Sequence, residues 1–364
     1  MKILFVNHDI SHYGAATSLS LMLRNNPYIS LDMIVPKKGR YEEEDIKRRF
    51  DLCDGKVYYH NMSVDMTCYV GGLRKKITLR KKIEKCKDFA KFLFLAKFGK
   101  YDLIYINSLV LYKYVVKSKK VLIHIRERYE ANGRPVLDHI NKASGVIFID
   151  NATFAPFRDH ICTKYRIINN PFDMTGLSTI NRADSFEHLD IKDKTVFSVI
   201  GQVVASKGIM EIVGSFHKVK DNNIILFIAG NCSDNFNDQI LNSCDNDNRV
   251  VVLGHRDSVA ELYNITDYLI RGERYQCIGR TIFEALFAGC FVLLPGTKSF
   301  QEFGKYFDKF SEKIYLYPPG DFDSLTKLIA EHAGKKVTKR KYYSNVAEHV
   351  QEVNMFLQDI VYST

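Results

Sequence analysis

The chain has 364 residues, 46% of them hydrophobic and 12% aromatic, and its formal net charge is +10 at pH 7. Its length predicts two domains, and its apolar content excludes an intrinsically disordered chain. No run reaches the ~18 apolar residues of a membrane-spanning helix, and MKILFVNH lacks the basic start of a secretory signal. We therefore expect a cytoplasmic protein whose positive charge favours a polyanion: nucleic acid, anionic membrane or phosphorylated substrate.

Short apolar runs rich in β-branched residues predict six strands in the first half of the chain. They are KILFVN (2–7), LDMIVP (31–36), KVYYHN (56–61), DLIYINS (102–108), KVLIHI (120–125) and GVIFID (145–150). Several are apolar on both faces, as in a parallel sheet covered by helices, and the segments between them are long enough for right-handed crossovers.

The second half repeats this pattern. Its runs are TVFSVIG (195–201), IILFIAG (224–230), RVVVLG (249–254), DYLIRG (267–272), FVLLPG (291–296) and KIYLYPP (313–319). The turn-rich stretch 168–176 separates the halves, so we expect domains at 1–172 and 173–344. A C-terminal helix at about 345–364 is expected to pack back onto the first domain. Ligands should bind beyond the carboxyl ends of the strands, in a cleft between two facing sheets.

The most basic segment spans residues 71–100. It carries eleven Lys or Arg residues against two acids, Glu84 and Asp88, with phenylalanines interleaved. A basic amphipathic helix of this composition can lie on an anionic membrane. The alternative is a solvated helix face whose apolar side packs in the core. Nucleic-acid binding is disfavoured, because no recognition motif accompanies the charge.

In each half of the chain, the predicted first strand is followed by a glycine-containing turn. In HYGAATSL (12–19), Gly14 allows close backbone approach and Ala15 keeps the start of the next helix open to a phosphate. The full GxGxxG fingerprint is absent, so a plain strand-to-helix turn is the alternative. In GQVVASKG (201–208), Lys207 stands at a helix start, where its ammonium group could neutralise a diphosphate; an ordinary surface lysine is the alternative.

A third candidate is GRTIFEALFAG (279–289), which predicts a turn feeding a buried helix. Gly279 precedes the helix, whose first N–H groups could hold a phosphate. Glu284 lies in an apolar run, where a carboxylate is costly without partners, so it binds either a structural partner or ligand hydroxyls. The DxD motif Asp245-Asn246-Asp247 lies in a polar loop and is expected to be a turn.

Six segments taken in order resemble motifs of the retaining GT-B glycosyltransferases of family 4, the glycosyl transferases group 1 family, over nearly the whole chain. They are MKILFVNHDISHYGAATSL, INNPFD, GQVVASKG, LGHRDSVAELYNITDYLI, GRTIFEALFAGCFVLLPG and YPPGDFDSLTKLI. The resemblance implies an α/β fold of the GT-B type, with two Rossmann-like doubly wound domains facing a central cleft. It implies that the second domain binds a nucleotide-sugar donor and the first binds the acceptor.

The resemblance also implies roles for individual residues. The donor-binding set is Gly14, Ala15, Gly201, Gln202, Lys207, Arg256, Gly279, Arg280, Thr281 and Glu284. Glu284 would hold the ribose hydroxyls, amides around Arg280 and Thr281 the distal phosphate, and Lys207 the leaving diphosphate. Arg256 and Asp257 would lie near the base. A catalytic histidine slot maps onto HIRERYE (124–130), where either His124 or Arg126 could occupy it.

Two charges expected from this resemblance are missing. Gln202 stands where an arginine contacts the diphosphate, and Gln276 stands where a glutamate contacts the transferred sugar. Glutamine still offers a donor and an acceptor, but without charge-assisted strength. Glu273 could compensate only if its loop bulges. We expect an active enzyme with Gln276 and Lys207 in its catalytic machinery and an altered donor preference.

These observations predict a metal-independent retaining hexosyltransferase that needs no cofactor. The donor is a UDP-sugar in preference to a GDP-sugar, and the acceptor is a saccharide or a lipid-linked saccharide in surface polysaccharide, capsule or glycolipid synthesis. The protein would be cytoplasmic, with the inner face of the cell membrane as a peripheral docking site through segment 71–100. The alternatives are a catalytically silent GT-B scaffold, which predicts no nucleotide affinity, and a sugar-nucleotide epimerase of the same fold.

Overall fold

The computed structural model describes residues 1–11, 14–37, 42–66, 78–129, 134–179, 186, 191–243, 247–256, 258–276, 279–297, 308–337 and 340–363. The chain divides into two compact units. The first comprises Met1–Pro171 and Asn345–Thr364, and the second comprises Phe172–Ser344. Each unit is built on one parallel β-sheet.

Seven strands form the sheet of the first unit. They are β1 (Lys2–Val6), β2 (Ser30–Pro36), β3 (Val57–His60), β4 (Leu103–Ile106), β5 (Val121–Ile125), β6 (Gly145–Phe148) and β7 (Tyr165–Ile167). Their spatial order is β3-β2-β1-β4-β5-β6-β7, and every pairing is parallel. The strand order therefore reverses between β1 and β4, and this point is where such sheets bind ligands.

Helices cover both faces of this sheet. They are α1 (Gly14–Arg24), α2 (Glu43–Phe50), α3 (Leu79–Phe98), α4 (Arg134–Ile140) and α5 (Asn151–Phe154), with a 3-10 helix at Leu109–Tyr114. Successive residues of β1 enter opposite apolar clusters: Ile3 and Phe5 lie in one, and Leu4 and Val6 lie in the other. Because a strand alternates its side chains, both faces of β1 are buried, which explains its unbroken apolar sequence.

The second unit repeats the design with six parallel strands. They are β8 (Thr195–Ile200), β9 (Ile224–Ala229), β10 (Val250–Gly254), β11 (Tyr268–Ile270), β12 (Phe291–Pro295) and β13 (Ile314–Tyr317), in the order β10-β9-β8-β11-β12-β13. The helices are α6 (Ile209–Lys218), α7 (Asp234–Ser243), α8 (Ala260–Ile265), α9 (Arg280–Phe287) and α10 (Phe322–His332), with a 3-10 turn at Ala205–Lys207. Here the strand order reverses between β8 and β11.

The last helix, α11 (Val346–Tyr362), belongs to the first unit. Its side chains Val353, Phe356 and Ile360 are buried in the same cluster as β1. The helix lies so close to β6 that a Cβ added to Gly145 would be 2.4 Å from Cδ1 of Ile360. Among the helices in the described ranges, none is long and apolar enough to cross a membrane.

Of the strands in the described residues, β7 alone is not predicted by the sequence pattern. Its three residues are exposed, and it lies at the edge of the sheet beside β6. An exposed edge strand needs no run of apolar side chains, so the period that reveals the other strands is missing there.

Candidate functional site

The carboxyl ends of β8 and β11 bring several of the predicted donor residues together. Gly201 follows β8 directly and has φ +124°, a conformation that favours glycine. A Cβ added to it would lie 3.6 Å from Cγ2 of Thr281 and 3.7 Å from Nζ of Lys207. The ammonium group of Lys207 and the first turn of α9 therefore meet beside the Gly201 backbone.

A close backbone contact holds the Lys207 turn in place. Gly208, at φ +65°, packs so tightly that an added Cβ would lie 1.8 Å from the carbonyl oxygen of Gly272, which follows β11. Within the turn, the backbone amide of Lys207 donates a hydrogen bond of 3.0 Å to the carbonyl oxygen of Val204. Because both partners are backbone, the position of Lys207 relative to the end of β11 is fixed by the fold.

Helix α9 points its N-terminus at this position. Gly279 is its N-cap in extended conformation, and no side chain caps the helix. The first amides of an α-helix have no partner inside the helix and carry a partial positive charge, which suits a phosphate group. Lys207 and the amides at Arg280 and Thr281 thus form a cationic edge at the strand switch point.

Glu284 is bound by two side chains of its own unit. Tyr263 donates its hydroxyl to Oε2 over 2.8 Å, and Arg280 donates from Nε to Oε1 over 2.7 Å. The Arg280 guanidinium lies 4.6 Å from the ring centre of Phe172. Burial and the charge of Glu284 raise the pKa of Tyr263 well above its usual value, so the phenol remains a donor. A ligand hydroxyl bound at Glu284 would share the carboxylate with these two donors.

Arg271 is a functional candidate that the sequence reading missed, and it changes the interpretation of Glu273. Both side chains are buried, with 5% and 1% of their surface exposed. Arg271 donates from Nε and Nη2 to the two carboxylate oxygens of Glu273. A carboxylate held in this way stays in the core, so Glu273 does not substitute for the charge missing at Gln276.

The remaining predicted donor residues are divided between the units: Gln202, Arg256 and Gln276 belong to the second, and Gly14 and Ala15 to the first. Gln202 is exposed and Gln276 is partly exposed, each in a loop that follows a strand. Arg256 is exposed, with its guanidinium 5.6 Å from the ring centre of Phe186, while Asp257 lies outside the described residues. No described atom lies within 4 Å of a Cβ added to Gly14 at the start of α1, and Ala15 follows it in the helix.

The DxD segment contributes a structural ion pair. Arg249 binds Asp247 through Nη2 over 2.7 Å, and His217 lies 3.0 Å from the same carboxylate. The Arg249 hydrogen bond holds the pKa of Asp247 below its usual value. Asp245 and Asn246 lie outside the described residues. Within the ranges that the structure describes, no group of three or more His, Cys, Asp or Glu side chains is placed to hold a metal ion.

In the first unit, the two catalytic candidates occupy different environments. His124 lies in β5 with none of its surface exposed, and its Nδ1 is 2.5 Å from the Tyr105 hydroxyl and 3.2 Å from Arg126 Nη2. Because a guanidinium only donates, Nδ1 is the acceptor and the neutral ring carries its proton on Nε2. Burial, with Arg126 and His349 nearby, holds the pKa of His124 well below its usual value.

Arg126 leaves the end of β5 and joins a row of asparagines at the carboxyl edge of the first sheet. It donates from Nε to Asn107 Oδ1 over 2.8 Å and from Nη1 to Asn170. Asn107 in turn donates to Asn7 Oδ1 over 3.0 Å and to the Ala15 carbonyl over 3.4 Å. Asn7 and Asn107 follow β1 and β4, so this row crosses the switch point of the first sheet.

A separate surface hollow of about 470 Å³ lies at the opposite end of that sheet. It is lined by Glu43, Lys47 and Cys53 together with the start of β3. Since parallel α/β sheets bind ligands at their carboxyl ends, this hollow is not where the fold predicts a ligand.

Comparison with known proteins gives a family match for the second half of the chain. Residues 181–349 match the family model described as "Glycosyl transferases group 1". No curated protein matches the chain in sequence.

Solved structures resemble the chain over almost its whole length. Anabaena HepE in complex with UDP and glucose has a TM-score of 0.68 at 17% identity, covering 99% of this chain and 96% of that chain. A glycosyltransferase from Rickettsia africae has a TM-score of 0.71 at 13% identity, covering 100% and 99%. Sucrose-phosphate synthase from Thermosynechococcus elongatus has a TM-score of 0.66 at 16% identity, covering 99% and 96%. The predicted α/β fold of the GT-B type is confirmed, and residues 181–349 match the glycosyl transferases group 1 family.

Proposed function

We propose that the protein is a retaining glycosyltransferase that transfers a hexose from a nucleotide-sugar, with a UDP-sugar preferred to a GDP-sugar. The family of residues 181–349 indicates transferase activity. The observation that carries the proposal is the meeting of Lys207 Nζ and Thr281 beside Gly201, at the N-terminus of α9. The UDP bound in HepE supports uracil as the base.

The chemistry follows from where negative charge develops. As the sugar–phosphate bond breaks, the diphosphate gains charge, and Lys207 with the α9 amides stabilises it. These groups support metal-independent transfer. In front-face retention, the departing phosphate oxygen helps to deprotonate the acceptor hydroxyl. Gln276 would orient the sugar, and Glu284, held by Tyr263, would accept from the ribose hydroxyls.

Calorimetric titration with UDP, GDP and ADP tests the donor site. We expect UDP to bind, and both Lys207→Ala and Glu284→Gln to weaken it by about tenfold or more, since each removes a charged hydrogen-bonding partner. Lys218→Ala is the matched control, because that lysine pairs with Asp323 on the exposed surface of the same unit. Absence of binding for all three nucleotides would favour a silent scaffold, the alternative suggested by Gln202 and Gln276.

For the acceptor, we propose a saccharide or a lipid-linked saccharide of a surface polysaccharide, capsule or glycolipid. The support is the polar row at the carboxyl edge of the first sheet. Arg126 and Asn170 are partly exposed at this edge, so a guanidinium and an amide are open to sugar hydroxyls, whereas Asn7 and Asn107 are buried behind them. His124 lies beneath this row and would act through Arg126.

We further propose that the protein docks peripherally on the inner, anionic face of the cell membrane through segment 71–100, of which residues 71–77 lie outside the described residues. Helix α3 carries apolar side chains on two opposite faces. Phe92 and Ala96 are buried in the core of the first unit. The opposite face exposes 41–72% of each of Leu79, Ile83, Leu93, Phe94 and Phe98.

Basic residues lie along the edges of this exposed face and within it. At 100° per residue, Arg80 and Lys87 lie on one side of it and Lys82 on the other, all exposed. Lys97 lies 5.3 Å from the ring centre of Phe98. Aromatic side chains between cations match the interface of an anionic lipid bilayer.

Vesicle sedimentation tests this surface. We expect binding to phosphatidylglycerol-containing vesicles that weakens with salt, and loss of most binding in the Phe94→Ser/Phe98→Ser variant. Tyr28→Ser is the control, because Tyr28 is 74% exposed in the same unit. Full vesicle binding by the double variant would contradict the proposal. A change of oligomeric state in that variant would instead assign the face to a second copy of the chain.

A further inference from the structure

The ion pair of Arg271 and Glu273 lies directly behind the first turn of α9. Besides its bonds to Glu273, Arg271 donates from Nη1 to Oγ1 of Thr281 over 3.0 Å. A Cβ added to Gly279 would lie 2.9 Å from the same Nη1. The guanidinium therefore stands between the buried carboxylate and the helix turn that carries the candidate phosphate-binding amides.

This placement of a cation costs free energy in the absence of a bound anion. A guanidinium beside a helix N-terminus meets the positive end of the helix dipole, and burial removes its water. Glu273 offsets both costs by accepting from Nε and Nη2. When a phosphate binds at these amides, its attraction to the Arg271 guanidinium behind them would contribute favourably to the binding free energy.

We propose that Arg271, oriented by Glu273, is a positioning residue for the distal phosphate of the donor. It holds Thr281 and Gly279 so that the first amides of α9 face the phosphate, and it directs Nη1, which is not bonded to Glu273, toward that turn. This inference rests on the proposed function, and it assigns to the pair a role that a purely structural salt bridge does not have.

The test compares UDP with UMP, which lacks the distal phosphate, by calorimetry. The Arg271→Met/Glu273→Gln variant removes both charges at similar volume and leaves no single charge buried. We expect its dissociation constant for UDP to rise about tenfold and that for UMP to stay within about twofold. Thr281→Val, which removes only the hydroxyl that accepts from Arg271, should shift the ratio in the same direction.

Two controls separate the possible failures. Lys218→Met/Asp323→Asn removes an exposed pair of the same unit, with a distance of 2.8 Å, and should leave the UDP-to-UMP ratio unchanged. If the wild-type protein binds no UDP, the proposed function fails and this inference fails with it. If the wild type prefers UDP, and both the charge-pair variant and Thr281→Val keep that preference, the pair is only structural. Should the charge-pair variant not fold, Thr281→Val decides.

Discussion

Tyr263 and Glu284 form a partly buried hydrogen bond of 2.8 Å between α8 and α9 of the second unit. The tyrosine is 1% exposed. Glu284 thus satisfies the requirement that a carboxylate in an apolar helix have partners, while its helix borders the candidate donor site. The carboxylate is fixed before any ligand arrives, which is the preorganisation that a binding site needs.

Tyr263→Phe should lower both stability and nucleotide affinity. A hydrogen bond to a charged group contributes about 1.5–3 kcal/mol, and for a unit of this size about 2–4 °C of melting temperature is lost per kcal/mol. Scanning calorimetry measures the first effect, and UDP titration measures the second. If the two residues act together, the effects of Tyr263→Phe and Glu284→Gln will not add in a double-mutant cycle. Strict additivity would show that the hydroxyl does not act through the carboxylate.

The first unit should lose stability as the pH falls below about 6.5. Burial holds the folded-state pKa of His124 well below the usual histidine pKa of about 6.5, so below that pH the unfolded chain binds a proton that the folded chain does not. The contribution of this residue to the free energy of unfolding is therefore fully present above about pH 6.5. Below that pH it falls by at most about 1.4 kcal/mol per pH unit. The lowered pKa of His60, caused chiefly by burial, acts in the same direction.

Melting temperatures between pH 5 and pH 8 measure this dependence. His124→Gln keeps a side-chain acceptor for Tyr105 and Arg126 and should flatten the curve. His160→Gln is the control, because His160 is exposed in the same unit. Equal slopes in the wild type and both variants would show that His124 does not titrate as its burial requires.

The strands of the fold can be predicted from the sequence because parallel strands are buried on both faces. Every predicted run contains a strand, and among the strands in the part of the chain that the structure describes, only β7 has no such run. Its residues Tyr165 and Ile167 are each 38% exposed, so burial does not constrain their type. A run of apolar residues indicates a buried strand, so it does not predict a strand whose residues are exposed.

The candidate site is less readable from sequence. Gly201, Lys207 and Thr281 can be chosen because glycine turns and helix starts have local signatures. Tyr263 cannot be chosen in this way, because no local sequence pattern links it to Glu284. The two residues lie on different helices and are joined by a hydrogen bond. Arg271 and Glu273 do leave a signal: residues two apart on an extended chain share a face, so their opposite charges predict a pair.

Restoring the two missing charges should separate sugar recognition from diphosphate binding. Gln276→Glu should change the ratio of kcat/KM between UDP-glucose and UDP-galactose by about tenfold, because a carboxylate strengthens hydrogen bonds to sugar hydroxyls. Its affinity for UDP should stay the same. Gln202→Arg should do the reverse, with tighter UDP binding and unchanged sugar preference. Steady-state kinetics and calorimetry read these effects, and an unchanged rate and selectivity in Gln276→Glu would remove the basis for an altered donor preference.

The two glycine turns should respond differently to alanine. Gly208 has φ +65°, and its added Cβ would lie 1.8 Å from the Gly272 carbonyl oxygen, a backbone atom that cannot rotate away. We expect Gly208→Ala to cost about 1–3 kcal/mol or more and to displace Lys207, so that UDP binding is lost.

Gly14→Ala is the matched comparison, because no described atom lies within 4 Å of its added Cβ. It should leave the melting temperature unchanged or slightly raised, since alanine favours the helix that starts there. Any loss of donor affinity in Gly14→Ala would then report a clash with the ligand itself. If Gly208→Ala folded and bound UDP as well as Gly14→Ala, the backbone contact with Gly272 would not position Lys207.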